Sequence, residues 1–360
     1  MDELVFGVRE AAWPLIRHDL SLSYAQVGLA LSLPALVSLI VEPAIGVLGD
    51  GARRRSVVVI GGIGFAVSLV AAAVAPGFLL LLGAFCLLYP SSGAFVGLSQ
   101  ATLVDLAPRV RERSLVRWTV AGAVGAAVGP LVLVATRSWR STFCALAVVA
   151  LVLVALTTRA QYVEAAGERG KWQDLVAALR RREVLRWLLL LELQDLGGDV
   201  LFGYLALYFV DVVGASPREA ALAVAVWTVS DLVGTVVLLR ALTRLTGATV
   251  VRTTAISVLV VVPALQLAGG LWLKLVLVGM LGALHSAWYP VTKARLYAEL
   301  PGRGGLVLAL ATLAGPIGAL MPVCVGLLAS RFGLQAALWV VLVAPLSLIV
   351  GVPRRAETDR

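Results

Sequence analysis

Residues 56–103 read SVVVIGGIGFAVSLVAAAVAPGFLLLLGAFCLLYPSSGAFVGLSQATL and contain no Asp, Glu, Lys or Arg. A helix needs about 20 apolar residues to cross a bilayer core about 30 Å thick. This stretch is long enough for two crossings, and Pro76-Gly77 interrupts it between them. Lipid offers the backbone no hydrogen-bond partners, so each crossing must satisfy its own backbone groups, which favours helices. The stretch therefore predicts a pair of membrane-spanning helices.

The composition of the whole chain points the same way. Of 360 residues, 60% are hydrophobic and 14% are charged, whereas soluble domains carry about 25% charged residues. A soluble domain of this size could not cover its surface with so few polar groups. Short alternating strands typical of a membrane barrel are missing from the sequence. We therefore predict an all-α integral membrane protein.

The apolar blocks form about twelve predicted spans, which we call spans 1 to 12. A polar stretch that ends near Arg180-Arg181-Arg182 separates them into two groups of six. We predict an N-terminal six-helix half over 1–157, a cytoplasmic linker over 158–185 and a C-terminal six-helix half over 186–360. The predicted spans are 1–20, 24–49, 56–75, 78–106, 114–136, 139–157, 186–213, 217–240, 248–268, 271–298, 304–329 and 333–352.

The linker itself is predicted to contain a helix on the membrane surface. Trp172, Leu175, Val176 and Leu179 recur at helical spacing among charged residues. Such a pattern is typical of an amphipathic helix that lies in the interface.

The basic residues orient the predicted spans. An even number of spans puts both termini and the linker on one side of the membrane. Of the 30 Lys and Arg residues, 21 then lie on that side, and the positive-inside rule makes it cytoplasmic. The net charge of +9 thus reports topology and does not indicate nucleic-acid binding. The six basic residues assigned to the outer side are Arg17, Arg137, Arg140, Arg218, Lys274 and Arg331.

The first span is barely long enough to cross the bilayer. Met1 is followed at once by Asp2 and Glu3, with no basic start before a clean apolar run, so no secretory signal peptide is predicted. We expect the first helix either to begin upstream of Met1 or to be short.

Equivalent landmarks recur six spans apart. Tyr89-Pro90 in span 4 matches Tyr289-Pro290 in span 10, and Gly129-Pro130 in span 5 matches Gly315-Pro316 in span 11. Their matching order predicts two parallel repeats related by an axis along the membrane normal.

The loop between spans 2 and 3 reads GVLGDGARRR over 46–55. Small residues at Gly46 and Gly49 would let a neighbouring helix approach closely, and Asp50 could bond to that helix or to the arginines. The loop could serve as a conformational latch, or simply as a basic loop that fixes topology.

This loop resembles the signature of the major facilitator superfamily. Gly46, Asp50, Arg54 and Arg55 match that signature, while Gly51 and Arg53 depart from it. The resemblance implies a twelve-helix transporter in two six-helix pseudo-repeats, with spans 1, 4, 7 and 10 lining a central cavity. The wider sequence is similar to the drug-efflux and fosmidomycin-resistance-like branch.

Span 5 carries a Gly-rich motif that ends in proline. Gly125 and Gly129 form a small-xxx-small face, and Pro130 bends the helix. The motif could serve helix packing alone. In the family that the chain resembles, a similar pattern is associated with antiporters.

Ionisable residues within the spans are candidates for function, because they are costly in lipid and usually face a cavity or a partner. Glu192, Asp195 and Asp199 are spaced i, i+3 and i+7 and so share one face of span 7. Repulsion between these carboxylates favours proton uptake, which proton coupling requires. The full set of candidates for proton coupling or a substrate cavity is Arg9, Glu10, Glu192, Asp195, Asp199, Asp231, His285, Tyr289 and Lys293.

Structural interpretations of the same residues remain open. Arg9 could neutralise Asp195 or Asp199 as a bridge between the halves. Lys293 could extend towards the cytoplasmic interface, and His285 could be a packed core residue.

These patterns predict a secondary transporter that works by alternating access. We favour proton antiport that expels a small amphipathic compound, with protonation of Asp195 or Asp199 as the coupling step. Uptake of a metabolite or anion is the alternative, and a non-transporting receptor or assembly factor is a second one. The sequence offers no metal-ligand cluster, nucleophile–base pair or phosphate loop, so we expect no enzyme activity, no cofactor and no metal site. The expected partners are the solute, protons and the lipid bilayer, with a monomer in the inner membrane as the working unit.

Overall fold

A computed structural model describes residues 1–49, 53–106, 111–158, 178–300, 310–311 and 313–353. Regular structure in these ranges is helical, and they contain no strand. The all-α prediction is confirmed. Asp50 and most of the predicted linker helix lie outside the described residues.

The chain forms two compact units, Met1–Glu168 and Arg169–Arg360, which we call the N-terminal and C-terminal units. In the N-terminal unit, spans 1 to 6 are helices Asp2–Asp19, Tyr24–Gly49, Arg54–Ala73, Phe78–Leu106, Arg111–Thr136 and Trp139–Thr157. Span 4 is interrupted within this range by a π-helical turn over Gly93–Gly97.

The C-terminal unit contains more interrupted helices. Span 7 runs over Arg182–Gln194, a π-helical turn at Leu196–Val200 and Leu201–Asp211, and span 10 is broken between His285 and Trp288. Spans 8 and 9 are Pro217–Ala241 and Gly247–Leu267, and span 10 comprises Leu271–His285 and Trp288–Glu299. Span 11 contains Pro316–Phe332, and span 12 comprises Leu334–Ala337, a 3₁₀ turn at Leu338–Leu342 and Val343–Gly351.

Helix occupies each of the predicted ranges. By length and composition, eight helices of the described chain are apolar enough to cross a membrane, and they fall in spans 2, 3, 4, 6, 8, 9, 10 and 12. Spans 5 and 11 hold the shorter apolar helices Val120–Thr136 and Pro316–Phe332. Spans 1 and 7 carry five of the ionisable candidates, Arg9, Glu10, Glu192, Asp195 and Asp199, and these charged residues lower the hydropathy of the two spans. Span 1 is short, with 18 helical residues.

The exposed faces of the helices are apolar, as expected in lipid. On span 3, Ile63, Val67, Val70 and Val74 are exposed and recur every three or four residues, while Phe65 is buried. An apolar stripe of this size on a soluble protein would mark an interaction site. Repeated over many helices, it marks the surface that contacts the acyl chains.

Glycines bring spans 1 and 5 into backbone contact. A Cβ atom at Gly129 would lie 2.7 Å from the carbonyl oxygen of Leu4 and 2.8 Å from the amide nitrogen of Val8, and one at Gly125 would lie 3.3 Å from the amide nitrogen of Leu4. The predicted small-residue motif of span 5 is therefore a packing face for span 1. Because Val8 precedes Arg9 in the sequence, this contact also fixes the position of that arginine.

Pro130 contributes to the same contact. A proline has no N–H, so the carbonyl of the residue four positions earlier, Ala126, loses its usual helical donor. Gly7 packs on that carbonyl oxygen, which would lie 2.5 Å from a Cβ at position 7. The absence of a side chain allows the Cα–H group to approach the freed oxygen.

We predict that Gly129→Ala destabilises the protein, because the new methyl group meets two backbone atoms that cannot move independently. The expected cost is about 1–3 kcal/mol, measured as a lower midpoint of thermal unfolding in detergent.

Gly83→Ala is the matched control, since a Cβ there has no atom within 4 Å and alanine favours the helix. Its midpoint should stay the same or rise. Equal midpoints for the two variants would contradict the close contact between spans 1 and 5.

Candidate functional site

A buried ion pair lies in span 1 of the N-terminal unit. Arg9 and Glu10 are 5% and 4% exposed, and the guanidinium of Arg9 forms a salt bridge with the carboxylate of Glu10. Arg9 also donates to the hydroxyl of Tyr89 in span 4 at 2.5 Å, and Trp13 donates to Glu10 at 3.1 Å. The charge of Arg9 is thus balanced by its own neighbour in the sequence.

Aromatic rings surround this pair. The guanidinium carbon of Arg9 lies 4.8 Å from the ring centroid of Phe6 and 5.4 Å from that of Tyr89. The two rings pack edge to face at 5.3 Å. Cation–π contacts of this kind stabilise a desolvated cation, so the pair is held from several sides.

Four carboxylates form a connected group in the C-terminal unit. Asp195 interacts electrostatically with Glu192 and Asp199 of its own span, and Asp199 interacts with Asp231 of span 8. Within the described chain, no cation lies within salt-bridge distance of Glu192 or Asp195. The predicted shared face of span 7 is present, and span 8 extends it.

The N-terminus of the span 11 helix faces this group. Gly318, in the first turn of Pro316–Phe332, donates its backbone N–H to Glu192 at 3.0 Å. A Cβ at Gly318 would lie 2.8 Å from an oxygen of Glu192 and 3.2 Å from an oxygen of Asp195. Carboxylates are favourable beside a helix N-terminus, and the missing side chain of Gly318 lets both of them approach it.

The helix of span 7 changes its hydrogen-bond register at the carboxylates. The backbone N–H of Val200 donates to the carbonyl of Asp195 at 3.0 Å, an i+5 bond that closes the π-helical turn Leu196–Val200. Such turns are found frequently at functional sites. Here the turn contains Asp199 and begins directly after Asp195.

Two glycines in this turn make room for span 10. A Cβ at Gly197 would lie 2.7 Å from the ring of Trp288, and one at Gly198 would overlap the imidazole of His285. The buried Nε2 atom of His285 has no hydrogen-bond partner among the described residues. His285 is therefore packed against the π-helical turn at Gly198, the residue that precedes Asp199.

Aromatic side chains lie near Asp199 and Asp231. Phe202 and Trp227 lie 6.1 Å apart between ring centroids, and Trp227 lies 6.1 Å from His285. Phe202 follows Asp199 by three residues and Trp227 precedes Asp231 by four, so each ring shares a helix face with a carboxylate.

The remaining candidates in span 10 pair with each other. Lys293 donates to the hydroxyl of Tyr289, and its ammonium lies 4.6 Å from the centroid of that ring. Tyr289 is 47% exposed. This pair is a separate feature from the carboxylate group.

The structure describes the two ends of the loop between spans 2 and 3 but not its centre. A Cβ at Gly46 has no atom of the described chain within 4 Å, and the latch stays a prediction. Arg54 is buried, and Arg55 bonds to the carbonyl of Thr158 at the end of span 6. Arg55 therefore ties the start of span 3 to the end of span 6.

Two buried polar residues were missed or misplaced by the sequence analysis. Lys274, assigned to the outer side, is 6% exposed within span 10 and donates to the hydroxyl of Tyr208 and the carbonyl of Leu265 near the end of span 9. Gln194 is fully buried beside Asp195 and accepts from Thr292. The sequence did contain a signal that Lys274 is buried, because it is a lone lysine one turn into an apolar helix.

Among the described residues, no group of three or more His, Cys, Asp or Glu is arranged to hold a metal ion. The carboxylates are spread along a helix face and do not converge on one point. This arrangement can exchange protons or contact a charged solute.

Comparison with solved structures gives the fold. A bacterial homologue of the human lysosomal transporter Spinster, in an inward-facing and unoccupied conformation, is 16% identical, with 97% of this chain and 91% of that chain covered and a TM-score of 0.72. A D-xylose–proton symporter is 18% identical, with coverage of 98% and 95% and a TM-score of 0.75. The nucleoside transporter NupG is 13% identical, with coverage of 97% and 96% and a TM-score of 0.73.

Comparison of sequences gives the family. No curated protein matches the chain. The family model described as Major Facilitator Superfamily matches residues 10–245, which is more than half of the chain. Together with the helical architecture of the two units, this match establishes that the chain is a multi-pass membrane protein and belongs to the major facilitator superfamily.

Proposed function

We propose that this protein is a proton-coupled secondary transporter, with Asp195 as the proton-carrying group. It moves a small solute by alternating access, and the favoured direction is efflux in exchange for protons. The observation that carries the proposal is the position of Asp195 between two other carboxylates, Glu192 and Asp199, with no cation of the described chain within salt-bridge distance.

The two units handle intramembrane charge differently, which supports this assignment. In the N-terminal unit Arg9 and Glu10 neutralise each other. A proton added to Glu10 would leave Arg9 as an uncompensated buried charge, which is strongly unfavourable. The pair is therefore a fixed element of the fold of the N-terminal unit.

Glu192 also has a stabilising partner for its charged form. Its carboxylate accepts the N–H of Gly318 at the N-terminus of the span 11 helix, where the helix dipole favours a negative charge. This bond holds the Glu192 carboxylate next to Asp195.

Asp195 approaches the same helix N-terminus, but Gly318 donates its N–H to Glu192. Asp195 interacts with one like charge on each side. A proton on Asp195 removes both repulsions at once. The backbone carbonyl of Asp195 accepts the i+5 hydrogen bond of the π-helical turn. A change in the charge of the Asp195 side chain therefore acts at the irregular part of the span 7 helix.

The Lys293–Tyr289 pair supports a second candidate, uptake of an anionic metabolite. Lys293 is half-buried and its ammonium lies on an exposed aromatic ring, which offers a cation to a carboxylate or phosphate. The direction of solute-induced proton flow decides between the two candidates.

We predict that Asp195→Asn abolishes solute-induced proton flux. Inverted vesicles carrying an inward-acid gradient would receive a panel of cationic, neutral and anionic compounds, and a pH-sensitive dye would report the gradient. At least one compound should dissipate the gradient with the parent protein and fail to do so with the variant.

The matched control is Glu219→Gln, which removes a carboxylate at the exposed start of span 8. Glutamine can keep the capping box that Glu219 forms with Ser216, so flux should match the parent. Full flux in Asp195→Asn would contradict the assignment, and a gradient that increases on solute addition would favour uptake.

We also predict that Arg9 and Glu10 behave as a closed pair in a double-mutant cycle. Arg9→Gln or Glu10→Gln alone should cost about 3–5 kcal/mol of stability, because each leaves a buried charge unpaired. The double variant should recover most of the loss, as measured by thermal unfolding. A double variant as unstable as the worse single variant would mean that Arg9 depends on a different carboxylate.

A further inference from the structure

We propose that span 8 binds an anionic phospholipid at the end that the positive-inside rule places at the cytoplasmic surface. Arg240 and Arg244 bind the phosphate group, and Val229, Val233 and Val237 contact an acyl chain. We call these five residues the lipid face of span 8. The inference goes beyond the proposed transport function and does not depend on it, because none of the five residues is a candidate for binding protons or solute.

The lipid face lies on one side of the helix. Its members follow each other at intervals of four, four, three and four residues, which keeps them within about 80° of rotation around the helix axis. All five are exposed. Although the helix Pro217–Ala241 ends before Arg244, the N–H of Leu245 still donates to the carbonyl of Ala241 at 2.8 Å. This helical hydrogen bond keeps Arg244 on the same side as the other four residues.

The order of these residues along the helix matches the two parts of a phospholipid. With a rise of about 1.5 Å per residue, Val237 lies about 4.5 Å and Val229 about 16 Å deeper in the membrane than Arg240. The valines therefore extend along the acyl region, and Arg240 marks its end. Arg244 lies about 6 Å further out, at the level of the headgroups.

The charges of the two arginines are not compensated within the described part of the chain. Neither Arg240 nor Arg244 forms an ion pair with a described residue. The sequence contains no Asp or Glu over 232–298, so no carboxylate follows them in the next two spans. An external anion is the partner that this arrangement fits.

Other arginines at the same end of the C-terminal unit do have partners in the protein. The guanidinium of Arg181 lies 3.7 Å from the carboxylate of Glu299 and also donates to its backbone carbonyl at 2.8 Å. Arg252 donates to the carbonyl of Ile349 near the end of span 12 at 3.2 Å. These two arginines connect spans to each other, whereas Arg240 and Arg244 are exposed.

The chemistry of the lipid face selects an anionic phospholipid. A guanidinium binds phosphate oxygens through paired N–H donors, and basic residues just outside a membrane helix attract anionic lipids. A zwitterionic lipid brings a cationic group that two arginines repel. A free phosphate ion lacks the apolar chain that would cover the valines.

The start of span 9 strengthens the positive potential at the same place. The helix Gly247–Leu267 begins three residues after Arg244, and its N-terminus carries the positive end of the helix dipole. The turn between the two spans also exposes Leu242 and Leu245. Exposed leucines beside arginines are typical of a segment that lies in the membrane interface.

A different side of span 8 is closed by span 10. A Cβ at Gly234 would lie 2.4 Å from the carbonyl oxygen of Ala283, and one at Gly282 would lie 2.5 Å from the carbonyl oxygen of Trp227. These close backbone contacts fix the rotation of span 8 about its axis. The lipid face therefore points away from span 10 and is available to the bilayer.

The test is native mass spectrometry of the purified full-length protein in detergent, titrated with phosphatidylglycerol and phosphatidylcholine that carry the same acyl chains. We expect the parent protein to retain phosphatidylglycerol in preference to phosphatidylcholine. Arg240→Gln and Arg244→Gln should each weaken the tightest phosphatidylglycerol binding about fivefold, and the double variant about 25-fold, because each basic residue at the surface adds a similar attraction. Both arginines are exposed, so the variants should fold.

The matched control is Arg218→Gln, which removes an exposed arginine at the opposite end of the same span. It should retain phosphatidylglycerol like the parent. The isolated headgroup, glycerophosphoglycerol, should not displace the lipid, because it cannot contact the valines.

Three results would overturn the proposed lipid site. Unchanged affinity in the double variant would mean that the two arginines only orient the chain in the membrane. Equal affinity for both lipids would remove the selection by charge. Displacement by glycerophosphoglycerol at the concentration of the lipid itself would identify a site for a free anion.

Discussion

Ionised side chains inside a membrane must be compensated, and the polar interior of this protein follows from that constraint. In the N-terminal unit the compensation is complete, because Arg9 and Glu10 are neighbours in the sequence and pair with each other. In the C-terminal unit it is partial, because Glu192 has the N-terminus of a helix while Asp195 has like charges of the same span on both sides. A fully compensated charge serves the fold. An incompletely compensated charge is repelled by its neighbours, and a proton relieves that repulsion.

Glycines allow the backbone to approach these charges. Gly318 admits two carboxylates to the start of the span 11 helix, and Gly198 admits the imidazole of His285 to the π-helical turn of span 7. Gly129 and Gly7 do the same for the helix that carries the N-terminal ion pair. The positions of the glycines and of the ionisable residues are therefore linked, because each glycine leaves the space in which a charged or polar group approaches a backbone.

Most of the fold could be predicted from the sequence, because hydrophobic length is a strong signal in a membrane protein. Helix occupies every predicted range. The Gly125–Pro130 motif packs against a neighbouring helix, which is one of the two roles predicted for it. Most site contacts could not be predicted. The pairing of Arg9 with Glu10 depends on rotamers, and the close approach of Gly318 to Glu192 depends on how two spans, far apart in sequence, align.

Other features carried a signal that the sequence analysis undervalued. Lys274 was counted as a marker of topology, yet it is buried and bonds to the end of span 9. A cation near a helix C-terminus is favourable, which explains how a lysine is accommodated among apolar neighbours. The π-helical turns had no such signal, because an i+5 hydrogen bond reflects the packing of neighbouring spans on Gly197 and Gly198 and not local propensity.

We propose that the C-terminal unit carries the exchangeable proton and that the N-terminal ion pair does not. Infrared difference spectroscopy of the protein in lipid, recorded between acidic and alkaline pH, reports this directly through the carbonyl stretch of protonated carboxyl groups. We expect a band that disappears in Asp195→Asn and persists in the double variant Arg9→Gln, Glu10→Gln. A band that persists in Asp195→Asn and disappears in the double variant would contradict it.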